Sequence, residues 1–416
     1  MLSPINERNT RTIGGPKTGT FLPRRIGRTV QRECTAARLL LLALAAAATL
    51  AIWSADPFVA WTYEGGVFVL AGWVAIRKEL RFGPILVTAA LLAVWGFGQL
   101  AAGATVYRYA TLNASLRVAA LAATALVASE VFRHAEARGR MLRGLLHGLL
   151  YGFAWFGFVL GIVSVVAYYT SSGSILWLFP SPYPDVWGPF LSRNNFAQFL
   201  ELALPVALWL GCTAYRTRRG TLYMWMSATM LGCGLVSASR AGAVLLILEA
   251  AAVFVLARPP APRRLIPLFA AGVMIFAALA GGEVLLHRLR DSDPLRDRRE
   301  IFASSLAMIA ARPWTGYGLG NFATVYPEFA RFDPGAVVEH AHNDWLEWAT
   351  EGGWPYAAVW MLLAISTLRP ALRSIWAIGI PAVFLHALVD YPFARFGVTA
   401  WLFILIGALE SNRRPE

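Results

Sequence analysis

Long apolar runs separated by short polar stretches dominate the chain from residue 39 onward. About 20 residues at 1.5 Å rise cross the roughly 30 Å hydrocarbon core of a bilayer. Runs near that length lie at 39–54, 59–76, 84–103, 112–132, 145–167, 196–215, 221–238, 241–257, 265–286, 353–368, 374–390 and 396–410. The spacing predicts about twelve transmembrane helices. Two are weaker than the rest: Tyr63 and Glu64 interrupt the second, and the tenth is short. The runs are continuous, without the period-two alternation of a membrane β-barrel. The expected fold is an all-α polytopic membrane protein.

Charge orients this bundle, because cytoplasmic loops carry an excess of Lys and Arg. With the N-terminus inside and twelve alternating helices, 25 of the 37 Lys and Arg residues fall on the inside. Of the others, seven lie in one long outer loop, and the rest are Arg108, Arg117, Arg193, Arg240 and Arg395. Removing one helix would invert the later loops and spoil the pattern, so both termini are expected in the cytoplasm. Residues 1–38 form a basic tail with Glu7 and Glu33 as its only acids. It has no apolar core and is expected to be disordered; it also lacks the apolar stretch of a signal peptide. Residues 39–416 form the membrane domain. The outer segments 168–195 and 287–352 are long. The second, between helices nine and ten, is polar enough to form a small helical periplasmic subdomain. Within it, 298–311 reads as an amphipathic helix with Ile301, Phe302, Leu306 and Ile309 near one face. Pro313 and the glycines of 315–320 then break the chain, and a second helix is predicted to start near Asn343.

Composition changes the functional picture. The chain is 57% hydrophobic and only 15% charged, with a mean hydropathy of +0.53, against about 45–50% and 25% for a soluble domain. A net charge of +13 would suit a nucleic-acid binder, but the basic residues sit in short loops between apolar segments. No nucleic-acid partner is expected. Cys34, Cys212 and Cys233 are too scattered for a disulfide framework or a zinc site, and the last two lie in apolar runs, where packing is the default.

Polar residues become informative where they are unexpected, because ionisable groups at membrane depth are expensive. Four places on the outer side stand out. Arg193, in Gly188–Phe196, enters the sixth helix; an interfacial arginine snorkelling to headgroups is the plain alternative. Arg240, in Ser237–Gly242, sits in a very short turn and needs an anion or backbone carbonyls, with lipid phosphate as the simplest anion. Arg288, Arg290, Arg296, Arg298 and Arg299 mix with Asp291, Asp293, Asp297 and Glu300, mostly as solvated surface. One or two of these arginines can face a ligand, and the planar guanidinium fork suits phosphate. The fourth place is His340–Glu347, which holds two of the six histidines. Histidine can take a proton from a hydroxyl near neutral pH. The His-x-His spacing does not put both rings on one helix face, and no cysteine or carboxylate set completes a metal site. No metal or other cofactor is expected.

Ser239-Arg240-Ala241-Gly242, Arg312–Phe322, His342-Asn343-Asp344-Trp345-Leu346 and Glu351-Gly352-Gly353, in that order between about 188 and 392, resemble the O-antigen ligase and polymerase family. Its members are bacterial inner-membrane glycosyltransferases of the C type. The resemblance implies a glycan donor on undecaprenyl diphosphate and an acceptor such as lipid A-core or another glycan. It implies surrounding membrane lipids, an active site on the periplasmic side, and inverting, metal-independent chemistry. His342 maps to the family's general base and Arg240 to the arginine of its Ser-Arg-x-Gly turn. A loop arginine maps to Arg298, with Phe302 in place of a tryptophan one position out of register; Arg299 is the alternative. Arg193 resembles a further arginine of some members. These three arginines would bind the donor diphosphate. The motifs do not separate ligase from polymerase. A protein O-oligosaccharyltransferase is a further reading, as is a transporter, although no internal repeat of the transporter kind is visible.

Overall fold

A computed structural model describes residues 24–54, 56–77, 80–136, 140–181, 183, 185–280, 296–331, 335 and 337–412. Among these residues the chain is helical, with only two isolated β-bridges. Nine helices come first: α1 (Arg24–Leu50), α2 (Pro57–Arg77), α3 (Pro84–Ala101), α4 (Arg108–Glu136), α5 (Arg140–Thr170), α6 (Arg193–Thr213), α7 (Arg218–Val236), α8 (Arg240–Ala257) and α9 (Pro262–Ala280). The segment that follows α9 contributes α10 (Arg296–Ala311) and α11 (Phe322–Phe329). Then follow α12 (Asp344–Arg373), a 3₁₀ turn (Ile375–Ala377), α13 (Gly379–His386) and α14 (Phe396–Ser411). Seven of the described helices are long and apolar enough to cross a membrane.

Every apolar run holds a helix, but three differ from the pattern. Helix α1 starts at Arg24, inside the segment read as a disordered tail; residues 1–23 lie outside the described residues. The tenth run belongs to a helix that begins at Asp344 and kinks at Gly353 (φ 74°). Asn343 caps its start, Oδ1 accepting from Leu346 N at 3.1 Å, and Asp344 and Glu347 complement the N-terminal dipole. The eleventh run is no helix of membrane length. It breaks into the 3₁₀ turn and the eight residues of α13. The cause is close docking on α6: a Cβ at Gly379 would meet the carbonyl oxygen of Glu201 at 2.2 Å. The segment is pinned at the middle of α6 instead of running alongside it.

The centre of the bundle is α6, buried without interruption from Asn195 to Leu208. A helix buried on all sides needs neighbours on all sides, and α5, α7, α8, α13 and α14 supply them. Helix α10 packs Ile301 and Met308 onto Tyr317, Phe322 and Tyr326. Ile301 and Ile309 are buried as the amphipathic reading expects, but Leu306 is 53% exposed, so its face is turned from the one expected.

The loop between α10 and α11 straps the kink of α12. Tyr317 N donates to Thr350 O at 3.1 Å, Gly318 N to Glu351 O at 2.9 Å, and Trp354 N to Pro313 O at 2.8 Å. At the end of α3, Gln99 Nε2 donates to Thr315 O and Glu351 O, and its Oε1 accepts from Leu319 N. Gly316 has φ 63°, and a Cβ there would meet the Glu351 backbone at 2.3 Å. Gly316→Ala is therefore expected to cost about 1–3 kcal/mol, read as a lower melting temperature of the detergent-purified protein. A wild-type melting temperature would show that the strap does not hold the kink.

Candidate functional site

Two helix starts are tied together at one end of the bundle. Ser192 caps α6, its Oγ accepting from Asn194 N at 3.2 Å. Ser239 caps α8, accepting from Gly242 N at 3.2 Å, and its hydroxyl donates to Asn194 Oδ1 at 2.9 Å. Arg193 and Arg240 are the first residues of these helices. Paired N-termini direct unpaired N–H groups and positive dipole ends to one place, which favours an anion. Arg193 is ion-paired with Asp185 of the preceding loop, so part of its charge holds that loop to α6.

The loop between α13 and α14 forms the floor beside them. Asp344 N donates to Ala387 O at 2.9 Å, and Asp344 Oδ2 accepts from Phe393 N at 3.0 Å. Arg298 Nη1 donates to Val389 O. Asp390 is 2% exposed; its Oδ2 accepts from Gln198 Nε2 at 2.9 Å, and Gln198 Oε1 accepts from Asn195 Nδ2 at 2.9 Å. The first turns of α6 thus join both groups, Asn194 toward Ser239 and Asn195 toward Asp390.

His342 stands above this floor. Its Nδ1 lies 3.6 Å from Asp390 Oδ1, just beyond hydrogen-bond length, and is buried without a hydrogen-bond partner. Its φ is +52°. Histidine is enriched among left-handed residues, yet such a backbone needs its surroundings to enforce it, and strain of this kind gathers at functional sites. Ala238, two residues before Arg240, is left-handed too, at φ 56°. The enforcing contacts around His342 are visible. Glu347 grips the turn, its Oε1 2.9 Å from His340 Nδ1 and its Oε2 accepting from Ala341 N at 2.8 Å. Tyr391 lies between the two histidines, stacked on His340 at 4.5 Å and edge-on to His342 at 4.9 Å. Burial works against a charged His340, but the Glu347 carboxylate outweighs it and raises that imidazole above the ordinary histidine range. His340 is thus committed to Glu347, while His342 keeps one nitrogen toward Asp390 and the other available.

Of the residues read from the sequence, His342 and Arg298 therefore meet one loop, and Arg240 and Arg193 meet one pair of helix starts. Arg298 is half-buried against that loop, whereas Arg299 is exposed. Arg288, Arg290, Asp291 and Asp293 lie outside the described residues. The sequence reading missed Asp390 and Gln198, and it gave no role to Asn195 or Glu347 within the segments it singled out. It also missed a buried pair one turn deeper on α6, where His386 Nδ1 lies 2.7 Å from Glu201 Oε1. A histidine and a glutamate inside apolar runs were the signal available for that pair. Among the described residues no group of three His, Cys, Asp or Glu is placed to hold a metal ion.

Chemically, the arrangement offers a base oriented by a buried carboxylate, with arginines and helix N-termini nearby for an anion. Residues 225–361 match a family model described as O-antigen ligase, a segment that contains Arg240, Arg298 and His342. No curated protein matches the chain.

Proposed function

We propose that this chain, whose residues 225–361 match a family model described as O-antigen ligase, is a membrane glycosyltransferase of the ligase type. It moves a glycan from undecaprenyl diphosphate to a hydroxyl of lipid A-core or a similar acceptor. The observation that carries this reading is the convergence of His342, Asp390 and Arg298 on one loop. The acceptor oxygen attacks the anomeric carbon as the bond from that carbon to the diphosphate breaks, with inversion. The hydroxyl proton passes to Nε2 of His342, and Asp390 steadies the imidazolium that forms, as a carboxylate does for a catalytic histidine. The leaving diphosphate is already charged and needs no general acid. It needs pre-organised cations, and Arg240 and Arg298 supply them through bidentate forks. No step requires a divalent metal.

The deciding observation is the lipopolysaccharide ladder of a strain lacking this chain. Loss of all O-antigen, with polymer accumulating on the lipid carrier, is the expected result. A single repeat unit retained on core would make the protein the family's polymerase instead, and an unchanged ladder would sink both.

The same reading places the protein in the bacterial inner membrane with twelve passages, both ends cytoplasmic and the site on the periplasmic face. The charge bias supports it. So does the end of α12 meeting the end of α14, Asn412 Nδ2 donating to Ser374 Oγ at 3.1 Å. That contact requires the short eleventh segment to return the chain to the site's end. Reporter fusions at Arg218 and Arg263 are expected to read cytoplasm, and a fusion at Asp185 periplasm. A periplasmic signal at Arg218 would overturn the topology.

A further inference from the structure

Both ends of α13 rest on one residue of α6. At its start, Gly379 lies so close to the Glu201 carbonyl that a Cβ would meet that oxygen at 2.2 Å. At its end, His386 Nδ1 lies 2.7 Å from Glu201 Oε1, with both side chains fully buried. An eight-residue helix has little stability of its own, so contacts of this kind decide where it lies. The residues that follow carry the site. Val389 N and Asp390 N donate to His386 O at 3.0 and 3.1 Å, so the turn that ends in Asp390 hangs from the His386 backbone. Gln198 Nε2 grips Asp390 at 2.9 Å. Gln198 and Glu201 are three residues apart and share a face of α6, and His386 and Asp390 are four apart. The two contacts are thus successive rungs between α6 and one turn, and His342 stands over the outer rung.

Packing alone does not ask for the inner rung. Apolar side chains of similar volume often replace a buried ionisable pair at no cost to stability, and an ionisable group at membrane depth marks function by default. What the pair adds is direction. Apolar contacts are non-directional, whereas a short hydrogen bond fixes both distance and angle. We propose that Glu201 and His386 are positioning residues: their contact sets the height and rotation of the Asp390 turn, and so aims the Asp390 carboxylate at Nδ1 of His342. Both side chains are closed off from solvent, so they act through Asp390 and not on substrate. The assignment rests on the glycosyl-transfer reading above.

The test is single-turnover transfer from a lipid-diphosphate donor by the full detergent-purified chain. Replacing the pair together, Glu201→Met with His386→Leu, removes the rung without leaving one partner buried alone. This variant is expected to melt close to wild type and to transfer about 10²-fold more slowly, the usual cost of a misplaced catalytic group, with the donor Kd unchanged. Glu201→Gln keeps an oxygen for the imidazole, and His386→Asn keeps an N–H near the place of Nδ1, so each should retain most of the rate. In an Asp390→Asn chain the paired replacement should cost little more, because residues that act as one unit are not additive. Should the pair of apolar side chains fail to fold, Glu201→Gln with His386→Leu carries the same comparison. A wild-type rate in the broken pair, a weakened donor Kd, a folded but slow Glu201→Gln, or losses that multiply with Asp390→Asn would each overturn the proposal. A wild-type chain that transfers nothing removes the enzyme reading itself, whereas wild-type transfer with multiplied losses removes the positioning role alone.

Discussion

Replacing His342 by alanine is expected to slow glycan transfer about 10²–10⁴-fold, the usual contribution of a positioned base, while donor binding changes little. The geometry makes this loss hard to avoid. The Nδ1 of His342 faces Asp390 at 3.6 Å, a distance that shortens to a hydrogen bond with a small shift when substrate fills the site. The neighbouring histidine cannot take over, because His340 is held by Glu347 at 2.9 Å and stacked on Tyr391. His340→Ala should therefore affect the rate much less. Single-turnover transfer with purified, folded variants measures both. A wild-type rate in His342→Ala, or an essential His340, would remove His342 as the base.

The second large effect is at Arg240. Arg240→Ala should cut kcat/KM by about 10³-fold, within the range seen when a cation facing a developing phosphate charge is removed. Folding and membrane insertion should survive, because the α8 cap belongs to Ser239 and Gly242 and not to the guanidinium. Arg240→Lys should also transfer poorly. A lysine keeps the charge and the dipole behind it but replaces the flat fork by a point donor. Full activity in the lysine variant would mean that Arg240 supplies field alone and makes no bidentate contact with the diphosphate.

Helix positions were legible because each apolar run is bounded by arginines, prolines or glycines, and the described helices start and stop close to those marks. What stayed hidden depends on tertiary contact. Nothing in the apolar run 374–390 reveals that Gly379 sits on the α6 backbone and halves the segment. The start of α12 near Asn343 was legible, but the burial of its first turns was not, because Asp344, Glu347 and Glu351 look like solvent-facing charge, whereas the strap and the loop after α13 bury them. Arg240 was conspicuous in a very short turn between two apolar runs, and Arg193, Arg298 and His342 in the two long polar segments. Asp390 was not, since a single aspartate after an apolar stretch reads as a loop flank until Gln198 and His342 come to meet it. Glu201 and His386 were visible as charges within apolar runs, yet only the fold pairs them.

The shortened eleventh segment also sets the depth of the candidate site. Gln198, which holds Asp390, is the sixth residue of α6, about 7.5 Å along the helix from Arg193 at 1.5 Å per residue. Glu201, which holds His386, is about 12 Å along. The floor beneath His342 is thus recessed below the helix ends, by about the 8–10 Å over which dissolved salt screens charge. The arginines themselves stand at the helix ends above that floor, so raising ionic strength is expected to weaken the attraction between diphosphate and arginine. On the proposed function, a lipid-anchored donor reaches the site by sliding in the plane of the bilayer. Turnover is then expected to follow how densely the carrier populates the membrane, whatever the volume of fluid above it.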